Sequence, residues 1–419
     1  MQELSTLLRI VLRCSPVRKA SFRPSKRLKL LGVSTTLLRY RPLSLLLMTQ
    51  TKIEQTPALW RGSELQEWAK SVLTLPMPSL SRSAVPLVKS LSEIPGGPYI
   101  PRISGPNAAY GHQALKARLA QLYDASPEEI LVAQGASQAN YLIAGSLLEN
   151  GGTAIVETPT YEPVMRGIEM LADRLIRLPR RKENGYQPDP AELKSLITDD
   201  TKLVWLTNLQ NPTQIELEIE RLQAIVEICD CVGAMVVVDE VYLNSTRPDY
   251  RSHGFTYGAI SVDSLCKTWG LDQLRVGWAV APADIVERAY KFNNLMGVVQ
   301  PYVTEDLADQ ILRNESAAAW FKLRLQTACG QMSMLTSFLK SVHELEMLPP
   351  SGGMNVCLKL PQGMDDLKFV EALIREKKVG AFPCSLFELP GYVRVSVGGD
   401  PVEVRQHLSR LGEMVREIR

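Results

Sequence analysis

Short runs of consecutive apolar residues, each closed by turn-forming residues, recur through the middle of the chain. They are TAIVETP (153–159), KLVWLTN (202–208), AMVVVDEVY (234–242), GAISVDSL (258–265) and VGWAVAP (276–282). Their apolar residues are continuous rather than alternating with polar ones, so each run predicts a strand covered on both faces. Between them, AELKSLI (191–197) and ERLQAIVEICDCV (220–232) carry apolar residues at three- and four-residue spacing, the period of a helix with one buried stripe. Strands alternating with such helices predict an α/β fold, a mostly parallel sheet flanked by helices. After about residue 303 the pattern changes. TEDLADQIL and AAAWFKLRLQTACGQMSMLTSFLKSVHEL predict long helices, MNVCLKL, VGAFP and YVRVSVG predict strands, and PVEVRQHLSRLGEMVREI predicts a closing helix. This part reads as a smaller α+β domain. The expected organisation is an extension (1–47), an arm contributing to the small domain (48–105), a large domain (106–312) and a C-terminal small domain (313–419).

Composition adds limits. The chain has 419 residues, 45% of them hydrophobic, enough to bury a sizeable core in more than one domain. Its formal net charge of +2 is unevenly spread. Residues 1–50 hold ten Lys and Arg and a single acid, Glu3, which leaves 37 of the 47 basic and 44 of the 45 acidic residues to the rest. A mildly acidic body argues against nucleic acid as the main partner. No run of about eighteen apolar residues occurs, so no membrane span is expected. The seven cysteines are odd in number and scattered, as expected of reduced thiols. Cys229 and Cys231 form the one close pair; a zinc site would need two further ligands, and the reading preferred here is a helix with two small thiols and no metal.

The first segment is basic and hydroxyl-rich, with Leu4, Leu7, Leu8, Val11 and Leu12 at helical spacing. Three readings stay open: a mitochondrial presequence, a disordered basic tail, or an upstream extension that is not translated, with Met48 as the start. A start at Met48 implies a cytoplasmic protein and a presequence a mitochondrial one. In each case residues 1–47 are expected outside the folded body.

In a sheet of this kind, ligands bind beyond the carboxyl ends of the strands. Asn211 in NLQNPTQ follows one predicted strand, Asp239 and Tyr242 close another, and Lys267 follows a third. The stretch SLCKTWGLDQLRVGW sets Ser264 three residues before Lys267 and Arg275 eight residues after it. AQGASQANY (133–141) opens a helix with Gly135, Ala136 and Ser137, whose free backbone N–H groups suit a phosphate. Taken singly, each has a plain structural explanation, such as a surface lysine, a helix cap or a salt-bridge arginine. Trp269 and Trp278 read as packing.

Taken in order, these motifs make residues 90–400 resemble the aspartate aminotransferase family, the fold-type I enzymes that depend on pyridoxal 5'-phosphate (PLP). The 28-residue interval from Asn211 to Asp239 matches that family's spacing. The resemblance implies that the Lys267 amine forms a Schiff base with the cofactor aldehyde and carries the proton in catalysis. It implies that Asp239 is the counter-charge of the ring nitrogen and that Tyr242 and Asn211 hydrogen-bond the ring's phenolic oxygen. Tyr161, in ETPTYEP, would stack on the ring. Gly135, Ala136, Ser137, Ser264 and Arg275 would hold the phosphate. Arg394, in YVRVSVGG, would clamp the substrate α-carboxylate, with Asn211 beside it. The implied partners are an L-amino acid and a 2-oxo acid, and the implied assembly is a homodimer with the active site at its interface.

The sequence departs from the family in four places. NPTQ has Gln214 where the family has glycine. Cys266 precedes the lysine where a serine or similar small residue is usual, and PCSLF has Cys384 for a glycine. In GPNAAYGHQALKARL, Pro106 stands five residues before Gly111, where the family has a tyrosine that reaches the neighbouring subunit's phosphate; either that contribution is missing or Asn107 or Tyr110 replaces it. The leading expectation is amino-group transfer. The alternatives are a lyase, cyclase or oxidase on the same fold, and a PLP-binding regulator without turnover, which the intact Lys267, Asp239 and Arg394 disfavour. No second arginine marks a dicarboxylate pocket. Residues near Tyr99, Asn107 and Gln214 are the expected contributors to substrate side-chain recognition.

Overall fold

In the computed structural model, residues 62–73, 80–105, 109–246 and 252–417 are described; the segment 1–61, with Met48, and the loop holding Pro106 and Asn107 lie outside them. In chain order the elements are α1 (Glu64–Leu73), α2 (Gln113–Tyr123), β1 (Ile130–Ala133), α3 (Ala136–Leu147), β2 (Thr153–Thr158), α4 (Glu162–Glu169), β3 (Arg174–Pro179), α5 (Pro190–Leu196), β4 (Thr201–Thr207), α6 (Ile219–Asp230), β5 (Met235–Asp239), α7 (His253–Thr256), β6 (Ile260–Ser264), β7 (Gly277–Val280), α8 (Ala283–Asn293), α9 (Tyr302–Leu312), α10 (Glu315–Gly330), α11 (Met332–Leu339), β8 (Glu346–Leu348), β9 (Asn355–Lys359), α12 (Asp366–Ala372), β10 (Phe382–Pro383), β11 (Tyr392–Ser396) and α13 (Pro401–Glu417).

Seven strands form one sheet in the order β1-β7-β6-β5-β4-β2-β3. From β3 to β6 all neighbours are parallel, and β7 runs antiparallel to both β6 and β1. The continuous apolar runs have a direct cause. In β4, Leu203 and Trp205 pack into a core with Leu142 and Ile143 of α3, while Val204 and Leu206 pack on the other face with Leu222 and Ile225 of α6. Both faces are therefore dry. The order reverses between β2 and β4, which opens a crevice at their carboxyl ends.

Four strands form a second, antiparallel sheet in the order β10-β11-β9-β8. Here the period of two is visible. Val393 and Val395 of β11 enter a core with Leu408 and Leu411 of α13, so Arg394 between them points to the opposite face.

The runs read from the sequence as strands are all present. Two strands of the large sheet, β1 and β3, are additional to them. The single long helix read over 317–345 is two helices, α10 and α11, separated at Gln331.

A strap, residues 80–88, crosses between the two sheets. At one end Leu80 donates its N–H to Gly380 O (2.8 Å) and accepts from Ser396 N (2.6 Å). At the other, Val85 N donates to Lys267 O and Val88 N to Gly270 O, both at 3.0 Å.

Candidate active site

A cavity of about 550 Å³ opens where α3, the carboxyl ends of β4, β5 and β6, the strap, α1 and β11 meet. Of the residues singled out in the sequence, Ala136, Ser137, Tyr161, Asn211, Asp239, Tyr242, Ser264, Lys267, Arg275 and Arg394 all line it. Gly135 lies directly behind it as the N-cap of α3, with φ of 83°. A Cβ there would overlap the Arg275 guanidinium, so the glycine makes room for that side chain. Arg275 is held by Gln134 O and Asp272 O, each at 3.2 Å. The start of a twelve-residue helix, Ser264 and Arg275 thus converge on one end of the cavity.

Asp239 ends β5 and is buried. Its Oδ2 accepts from Asn140 Nδ2 at 2.7 Å and its Oδ1 from Val241 N at 3.2 Å. Asn140 is held in turn by Trp205, whose Nε1 donates to Asn140 Oδ1 at 2.8 Å. Burial pushes the Asp239 carboxyl up to about 6; the bonds from Asn140 and Val241 and the Lys267 charge pull the other way. Lys267 is half-buried at the start of its turn, with its amine 6.0 Å from the centre of the Tyr242 ring. Its pKa is raised above the ordinary lysine value, first by Tyr242 and against the cost of burial.

On the opposite wall, the Arg394 guanidinium lies against the rings of both Phe382 and Phe387, 4.8 and 4.6 Å from their centres. Its Nη1 donates to Asn211 Oδ1 at 2.7 Å. Tyr161 stacks against Phe387, and its hydroxyl accepts from Gln66 Nε2 at 2.6 Å. Gln66 comes from α1, which also lines the cavity with Leu65 and Ala69. The carboxylate of Glu162 anchors this helix by accepting from Leu65 N (2.7 Å), Ser63 Oγ (2.8 Å) and Glu64 N (3.2 Å). An acid at a helix start satisfies free N–H groups and complements the dipole.

Tyr99 and Gln214, near which side-chain recognition is expected, do not themselves line this cavity. Tyr99 is packed in a core with Leu119, Val132 and Trp278, and its hydroxyl donates to Pro95 O. Gln214 is buried with φ of 59°, and its side chain folds back to Gln210 O (3.3 Å) and Asn355 (3.4 Å). Asn107 lies outside the described residues. Conversely, the sequence reading missed Gln66, Ser83, Asn140, Trp205, Phe382 and Phe387. Asn140 left a signal, a polar residue on the buried face that α3 forms with Ala139 and Ile143. The others are carried in by tertiary packing from distant segments.

The family described as Aminotransferase class I and II matches residues 106–411. The chain belongs to the class I and II aminotransferases. As an aminotransferase it depends on PLP and transfers an amino group between an amino acid and a 2-oxo acid. An aspartate aminotransferase of Pyrococcus horikoshii is 25% identical over 296 residues, 69% of this chain and 75% of the relative. An arginine–pyruvate transaminase of Pseudomonas aeruginosa is 24% identical over 308 residues, 70% and 78% of the two chains. In fold, a PLP-dependent aminotransferase from Streptococcus suis superposes with a TM-score of 0.76, covering 86% of this chain and 99% of its own at 24% identity. An aromatic aminotransferase from P. horikoshii gives 0.72, with 84% and 99% covered at 22% identity.

The aminotransferase cavity fits its cofactor. Its donor set holds an amine for an aldehyde, a buried carboxylate for a pyridine nitrogen and a helix start with Ser264 and Arg275 for a phosphate.

Proposed function

We propose that this aminotransferase works with Lys267 as its reactive amine and takes amino acids with apolar side chains. The observation that carries the first part is the convergence of Lys267, Asp239 and the α3 start with Arg275 on one cavity. When bound, PLP supplies the aldehyde and the electron-withdrawing ring. The protein supplies the rest. Lys267 would hold the aldehyde carbon with loss of water and, once the substrate's amine had taken its place and freed it, would move the substrate's Cα proton. Asp239, fixed by Asn140, would keep a proton on the ring nitrogen. Tyr242 and Asn211 would hold the ring's phenolic oxygen, and Tyr161 would pack on the ring. Gly135, Ala136, Ser137, Ser264 and Arg275 would hold the phosphate. Arg394, aligned by Asn211 and the two phenylalanines, binds the substrate carboxylate as a planar fork.

The side-chain preference rests on the walls beside Arg394: Leu65, Ala69, Val164, Phe382 and Phe387. Among the described lining residues the other guanidinium groups are committed, Arg275 as above and Arg82 to Asp272 at 3.2 Å. A distal carboxylate would thus lack a partner there. The homodimer implied by the resemblance is supported by a run of exposed apolar residues after α8, Leu295, Met296, Val298 and Val299, which are 50–79% exposed. Sedimentation of the purified protein reads that state; a monomer at micromolar concentration would remove it.

The test of the central reading is spectroscopic. The protein loaded with PLP should show a visible band, lose it on addition of an apolar amino acid, and regain it with a 2-oxo acid. Lys267→Ala should abolish both band and turnover; a retained band would overturn the assignment. Leucine or phenylalanine should outperform aspartate in kcat/KM, and the reverse order would overturn the substrate class.

A further inference from the structure

The strap 80–88 is stitched in place by backbone bonds and an ion pair that do not involve the Ser83 hydroxyl. Its backbone pairs with Gly380 and Ser396 at one end and with Lys267 and Gly270 at the other. Arg82 adds its ion pair to Asp272. A Cβ on Gly270 would overlap the Pro86 carbonyl, so the lysine turn itself is shaped to receive the strap. This leaves the hydroxyl of Ser83, midway along it, without an architectural task. Yet that hydroxyl is buried against the two groups on which the chemistry turns. Tyr242 donates its phenolic O–H to Ser83 Oγ at 3.0 Å, and Lys267 Nζ donates to the same oxygen at 3.5 Å.

A hydroxyl oxygen has two lone pairs, so it can accept both bonds at once. We propose that Ser83 is a positioning residue of the active site, whose oxygen holds the Tyr242 phenol and the protonated Lys267 amine side by side and favours the charged form of that amine. This rests on the reading of Lys267 as the reactive amine. The groups facing the amine pull in both directions: Tyr242, Tyr161 and Cys266 favour its charge, Arg394 opposes it, and the Asp239 carboxylate senses it from the end of β5. Ser83 differs from all of these because its hydroxyl does not ionise and it accepts a hydrogen bond from the amine. It therefore tunes the amine without adding a charge.

The measurement is competitive labelling of the full chain with fluorodinitrobenzene across pH, in the cofactor-free protein, with Lys267 read by peptide mass spectrometry. Ser83→Ala should move the labelling midpoint of Lys267 down by about one pH unit, the size expected when an acceptor to a charged group is lost. Lys116, remote from the strap, should label unchanged and serves as the internal control. Ser83→Thr keeps the hydroxyl and should restore the midpoint. An unchanged Lys267 midpoint in Ser83→Ala overturns the proposal, and so does a fall that Ser83→Thr leaves uncorrected. The labelling reads the proton on the amine and not turnover, so it fails separately from the assignment of Lys267 to the cofactor.

Discussion

At the scale of single residues, the chemistry of the site depends on side chains that the reacting groups lean on. Asp239 shows this most clearly. A carboxylate at a dry strand end is costly to ionise, and its pKa of about 6 reflects that cost. Its folded pKa lies above its ordinary value, so its contribution to the stability of the cofactor-free protein is full below about pH 4 and fades as pH rises through 6. Cofactor binding runs the other way, because a ring N–H needs the ionised carboxylate. Asn140, through its 2.7 Å bond, stabilises that ionised form, and Trp205 keeps the amide turned toward it. Asn140→Ala should raise the Asp239 pKa further, by about one unit for a lost neutral donor. PLP retention, followed by dialysis against buffers of increasing pH, should then reach its half-point at higher pH than in the unaltered protein. Coincident curves would show that Asn140 does not support Asp239.

At the scale of elements, α1 is a short amphipathic helix that relies on one carboxylate. Leu65 and Ala69, one turn apart, bury its inner face, and Glu162 of α4 receives its first N–H groups. Arg166 pairs with Glu162 from one turn further along α4, at 3.3 Å. Glu162→Ala should release α1 while the sheets remain folded, with a cost to global stability of about 1–2 kcal/mol. Limited proteolysis should then cut within 62–73, and PLP should dissociate several-fold faster; a helix still protected would mean that its apolar face suffices. How much of all this was legible follows the same division between local and distant. The runs 202–208 and 234–242 announced buried strands because both faces demand apolar residues. β3 did not, since Arg174 and Arg177 interrupt it at the sheet edge, where one side of the strand has no neighbouring strand among the described residues. Ser264, Lys267 and Arg275 were legible because one turn carries all three. Gln66 and Ser83 were not: each reaches the cavity from a segment whose own pattern gives no hint of its destination. Tyr99 and Gln214 themselves turn away from the cavity, since proximity in sequence to a motif says nothing about which way a side chain turns.

At the scale of the whole molecule, a buried polar seam ties α9 to α2 and to the chain before it. Glu305 accepts from His112 N at 2.6 Å, Asp309 pairs with Arg118 at 3.1 Å, and Asp306 pairs with Arg102 and accepts from Gln310 Nε2 at 2.7 Å. Lys116 and Tyr290 also face Glu305. Burial pushes the Glu305 carboxyl up to about 7, with the His112 N–H and the Lys116 charge opposing the rise. The sign is that of an acid whose proton is held more tightly when folded. Its contribution is complete below the ordinary glutamate value, about pH 4, and is lost as pH climbs through 7. The loss is on the order of 3 kcal/mol from this one group. The thermal midpoint should therefore decline between about pH 5 and 8 more steeply in the native protein than in Glu305→Gln. The amide oxygen of that variant can still accept from His112 N, and it has no proton to lose in this range. The difference between the two proteins should approach roughly 6–12 °C at the alkaline end, given ~2–4 °C per kcal/mol for large domains. Parallel pH profiles would place the titrating group elsewhere in the seam, with Lys116, whose own pKa is lowered by burial, as the next group to replace.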